Sequence, residues 1–114
     1  MIDLLLPTST KRLIVYPTAI DTRWGLDRLR AACETALGAG LDHATAVLFH
    51  NRAQDVLVLY TLDDEGDRSL TKKLDRGVFL LPMPAVGEKY VVLPRAKIRT
   101  LFRAPGPKQA SRPR

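Results

Sequence analysis

The sequence predicts an α+β domain: a mainly antiparallel sheet of about five to six short strands, one covering helix and a short basic helix near the C-terminus. Three observations point there. Strand-length segments of four to eight residues, rich in apolar and β-branched side chains, recur between clusters of Pro, Gly, Asp and Thr. A single stretch, beginning near Leu26, carries apolar residues at helical spacing. No repeat of 20 to 50 residues appears, so a solenoid is rejected.

Taken in order, "RLIVY" (Arg12 to Tyr16) is the first strand, bounded by Thr8 to Thr10 and by Pro17. Asp21 or Thr22 can then accept hydrogen bonds from the free N–H groups of a first helical turn. Leu26, Leu29, Cys33, Ala36 and Leu37 form the apolar stripe of that helix, and Gly38 and Gly40 end it. "TAVLFHN" (Thr45 to Asn51) and "DVLVLYTL" (Asp55 to Leu62) are spaced as a hairpin around Arg52-Ala53-Gln54. Asp63 to Asp67 is an acidic turn in which Gly66 can take a positive φ. "RSLTKKL" (Arg68 to Leu74) reads as a partly exposed strand, turned by Asp75-Arg76-Gly77 into a further strand, "VFLLP" (Val78 to Pro82). "YVVL" (Tyr90 to Leu93) is the last strand. Pro94 suits the first turn of a helix to Arg103, with Ile98, Leu101 and Phe102 on one arc and Arg95, Arg99 and Arg103 in a stripe beside it. Residues 1–10 form an extension, 11–103 one domain, and 104–114 a basic tail too poor in apolar residues to join a core.

Length and composition narrow the function. With 114 residues and 46% hydrophobic content there is one modest core. One cysteine, Cys33, excludes an internal disulfide and fits a reducing compartment. Apolar runs of four or five residues fall far short of the ~20 needed to span a bilayer, and "MIDLLLPTST" lacks the basic leader of a signal peptide. A cytoplasmic protein is expected. Charge is lopsided: residues 1–88 hold ten Lys/Arg and twelve Asp/Glu, whereas residues 89–114 hold eight Lys/Arg and no acid. Such an end suits a polyanion, because each phosphate met by a cation releases counterions; the alternative is a solubilising tail.

Chemistry finds little support. The acids of 63–67 lie in one turn rather than on converging elements, which argues against two-metal catalysis. His43 and His50 stand at no ligand spacing from Cys33 or from each other, and no phosphate-cradling glycine motif occurs. Cys33 falls on the apolar stripe as a small core residue. No cofactor or metal is expected. In "IDTRWGLDRL", Asp21 is read as a helix cap, Arg23 as an ion-pair or stacking partner, and Gly25 as a point of close approach to a strand.

The blocks "RLIVYPTAIDTRWGLDRL" and "VLFHNRAQDVLVLYTLDDEGDRSLTKKLDRGVFLLP" resemble the small TnpB-like accessory proteins of the insertion sequence 66 family. Asp21, Arg23, Gly25, Asp27 and Leu29 match the first block of that family. Asn51, Arg52, Asp55, Leu57 and Leu59 match the second in part. Asp64, Gly66, Lys72, Lys73, Leu74, Asp75, Gly77, Phe79 and Pro82 match the third. Trp24 stands where the family tends to have lysine. The resemblance implies a non-catalytic helper of DNA transposition that binds DNA, the transposase or both. Lys72, Lys73, Arg76, Arg95, Arg99 and Arg103 are the candidate contacts to an anionic partner, with a charge-protected sheet edge as the alternative role of the first three. A rival reading is a protein-interaction module without a nucleic-acid role, dimeric through a sheet edge or through the apolar strip Val56 to Tyr60.

Overall fold

The computed structural model describes residues 6–38 and 41–97. Six elements follow in order: β1 (Arg12–Val15), α1 (Leu26–Leu37), β2 (Thr45–His50), β3 (Val56–Asp63), β4 (Gly66–Lys73) and β5 (Val91–Pro94). The five strands form one sheet in the order β4-β3-β2-β1-β5. β1 and β2 are parallel, joined by α1, and the other three pairings are antiparallel. This is the expected α+β architecture. The chain turns helical again at residues 95–97, past which the expected basic helix, with Arg99 and Arg103, and the tail lie outside the described residues.

Both faces of the three central strands are buried, which explains why β1 and β2 read as near-continuous apolar runs rather than alternating ones. On one face Val47, Phe49, Val58 and Tyr60 pack against Leu29 and Cys33 of α1 and against Ile20. On the other, Leu13, Ala46, Leu48, Leu57 and Leu59 are covered by Leu6 and Phe79, with Leu74, Leu81 and Leu93 packed around them. The second cover comes from coil, and its composition accounts for a difference from expectation. Val78 to Pro82 does not form a strand; only Val78 makes an isolated bridge. Gly77, at φ 76°, turns the chain under the sheet, the Phe79 N–H donates to Gln54 O at 2.7 Å, and Val78 and Phe79 bury their side chains as a plug.

Helix α1 starts later than expected. Gly25 is its N-cap, and no side chain caps it. Gly38, at φ 57°, closes the other end by donating its N–H to Glu34 O. Gly40 lies outside the described residues. The hairpin between β2 and β3 is held by Asn51, whose Oδ1 accepts from the Asp55 and Val56 N–H groups while its Nδ2 donates to Asp55 Oδ1 at 2.7 Å. The apolar strip Val56 to Tyr60 cannot serve as a dimer surface. Leu57 to Tyr60 are buried in β3, the second strand in from the edge, flanked by β2 and β4.

Candidate anion-binding surface

The strand order distributes the candidate cations. β4 and β5 are the two edges, and the ends of the sheet are marked by His50 and Thr45 of β2. Lys73 pairs with Val56, so Lys72, Lys73 and the following Arg76 lie at the His50 end of the β4 edge. Pro94 pairs with Arg12, which pairs with Thr45, so Arg95 leaves the sheet at the Thr45 end of the β5 edge. Four interstrand spacings, about 19 Å, separate the two edges. Among the described residues, Lys72, Lys73 and Arg76 therefore lie at the corner diagonally opposite Arg95 rather than in one patch with it.

In the β4 group, Lys72 lies across from buried Leu57 and is half-buried. Lys73 and Arg76 are exposed. Gly77 sets the turn that carries Arg76 outward and Val78 inward, because a residue with a Cβ rarely adopts its φ of 76°.

Arg95 has a structural task that the sequence did not reveal. Its NH1 donates to the carbonyl oxygens of Pro7 and Thr10, both at 2.7 Å, and its backbone N–H donates to Lys11 O at 2.9 Å. These bonds fasten the segment that delivers Leu6 to the core. An arginine in a basic stripe gives no sign that its acceptors are carbonyls more than 80 residues earlier.

The residues around Asp21 divide differently from expectation. Asp21 does not cap α1. Its Oδ1 accepts from the Arg23 backbone N–H at 2.9 Å and from Arg23 Nε at 3.0 Å, and its Oδ2 accepts from Arg23 NH2 at 2.8 Å. Gripped in this way, the Asp21 carboxyl is held down at about 2. The Trp24 N–H donates to Asp21 O, closing a turn three residues before the helix begins. Arg28, rather than Arg23, stacks on Trp24, 4.4 Å from the ring centroid. Nor is Gly25 a point of close approach: a Cβ there would meet nothing within 4 Å. Its extended φ of −77° is open to any residue.

Reactive groups are muted. Burial pushes the Cys33 thiol up to about 12, leaving it protonated and inert. His43 Nδ1 lies 3.3 Å from Asp64 on the surface, and both ring nitrogens of His50 face backbone carbonyls, of Tyr16 and Asn51. Among the described residues no group of three His, Cys, Asp or Glu side chains is placed to hold a metal. No helix among them is long and apolar enough to cross a membrane.

A small sheet with one face under a helix, the other under coil, and cations at opposite corners defines a small α+β domain. The chain belongs to the IS66 Orf2-like protein family, whose model matches residues 11–112, and is thus a transposition-associated accessory protein. Neither curated proteins nor solved structures give a significant match.

Proposed function

We propose that the protein assists transposition without catalysing a step of it, by contacting DNA phosphates through its basic C-terminal segment. One observation carries this reading: residues 89–114 hold eight Lys/Arg and no acid, against a net negative remainder. Arg99, Arg103 and the tail cations are the contacts. Arg95, whose guanidinium binds the backbone at residues 7 and 10, positions the segment beside β5. Phosphate contacts hold a protein on DNA without reading sequence, so binding is general and salt-sensitive. Lys72, Lys73 and Arg76, at the far corner, are assigned to a protein partner, the transposase or a second copy.

Mobility shift and anisotropy with a generic duplex test this. Micromolar protein is expected to bind at low salt, with log K falling against log salt by ~0.9 per phosphate contacted. Arg99→Gln with Arg103→Gln should weaken binding and reduce that slope by about two contacts. Absence of any shift at low salt overturns the proposal and leaves the rival reading, an interaction module that acts on protein alone.

A further inference from the structure

The β4 edge carries a charge gradient. Its first half follows Asp63, Asp64 and Glu65 and contains Asp67; its second half ends in Lys72 and Lys73, with Arg76 beyond. None of Lys72, Lys73 and Arg76 has an ion-pair partner among the described residues. Six of the eight residues are exposed, including Leu70 at 39%, and one side of the strand has no pairing strand among the described residues. The β5 edge, by comparison, is four residues long and ends in proline. A long edge with free N–H and C=O groups is a template for another strand, and natural proteins often blunt such edges with lysine. Here the lysines sit at one end only, and the other end is acidic.

We infer that β4 pairs antiparallel with β4 of a second copy, joining two sheets into one of ten strands. Antiparallel alignment sets the acidic end of each edge against the basic end of the other, whereas parallel alignment would oppose like charges. Two-fold symmetry within a continuous sheet pairs residues of the same face. The register centred on Ser69 then places Lys72 opposite Gly66 of the second copy and Lys73 at the end of the ladder, beside the turn that carries Glu65 in that copy and with Asp67 as its diagonal neighbour, and the contact occurs twice. Arg68 falls opposite Leu70, and the two Leu70 side chains become diagonal neighbours across the axis. The register centred on Leu70 would oppose Arg68 to Lys72 twice, and the Asp67 it sets against Lys73 is already engaged by Tyr60 and Arg30, which disfavours it. The inference is independent of DNA contact, because the cations it uses lie at the corner away from Arg95.

Light scattering on nuclease-treated full-length protein tests it. A dimer is expected at micromolar concentration and low salt, weakening as salt rises. Lys73→Glu and Glu65→Lys should each weaken dimerisation by about tenfold or more, since both copies of the contact turn repulsive. The equimolar mixture of the two variants, and the double variant, should each recover the dimer. Glu65 contributes only its backbone N–H to the hairpin turn, so its exchange leaves that turn intact, which circular dichroism checks. A monomeric wild type, or a dimer indifferent to both exchanges, overturns the inference; single-variant losses without recovery in the mixture would also overturn it.

Discussion

The Tyr60 hydroxyl donates to Asp67 Oδ2 at 2.7 Å, so the largest fully buried side chain among the described residues ends on a carboxylate of the edge strand. Arg30 of α1 stands 3.9 Å from the same oxygen. Helix, inner strand and edge strand thus meet at one carboxylate.

Removing either end of this bond has unequal costs. Tyr60→Phe takes away the hydroxyl and leaves Asp67, which is partly solvated and near Arg30, so a loss of about 1–2 kcal/mol is expected. Asp67→Ala strands a buried phenol and should cost more, about 2–3 kcal/mol. Urea denaturation measures both, and equal losses would mean that water replaces the carboxylate.

The same bond sets a pH dependence. Burial first, and the hydrogen bond to Asp67 second, raise the Tyr60 phenol well above its ordinary value. The native state therefore keeps a proton that the unfolded chain gives up near pH 10. Its contribution to stability is complete below that pH and is lost as pH rises beyond it. Absorbance titration should show the Tyr60 phenol ionising only as the protein unfolds, and Asp67→Ala should let it ionise at lower pH.

Asp21 has the opposite sign. Its side-chain bond to Arg23, then the Arg23 backbone bond, hold the carboxyl at about 2, so its contribution is present above the ordinary carboxylate value near 4 and fades as pH falls toward 2. In Arg23→Gln the backbone bond remains, and carboxyl-carbon NMR should show a partial return toward the ordinary value. A titration unchanged by that substitution would remove Arg23 as the cause.

Gly25 shows where sequence reading reaches its limit. Spacing placed α1 correctly, because Leu26, Leu29, Cys33, Ala36 and Leu37 recur in steps of three and four, which a helix gathers on one side and a strand would split between two faces. Its start was not legible. Asp21 and Thr22 both have capping chemistry, and nothing local reveals that Asp21 is claimed by Arg23 two residues on. The hairpins were legible from their turn residues. The fate of "VFLLP" was not, since an apolar run fits a strand or a plug equally, and the choice depends on which sheet face lacks a cover. Of the candidate cations, Lys72 and Lys73 could be placed on a partly exposed strand from its polar composition, whereas the diagonal separation from Arg95 depends on strand order. With an extended backbone and open space at Gly25, Gly25→Ser supplies the missing cap oxygen. A gain of a few tenths of a kcal/mol is expected in thermal melts, and a clear loss would restore the close-approach reading.

Arg95 separates holding the fold from holding DNA. Arg95→Met keeps much of the side-chain length but leaves the Pro7 and Thr10 carbonyls without their charged donor. Two such bonds at the rim of the core should cost about 2–4 kcal/mol on removal. The segment carrying buried Leu6 should loosen first, seen as faster amide exchange in residues 6–11. If Arg95 only positions the C-terminal segment, the salt slope of DNA binding should stay as in the wild type while stability falls. Arg99→Gln should do the reverse. A slope reduced by Arg95→Met, with stability unchanged, would instead make Arg95 a phosphate contact and release residues 6–11 from its hold.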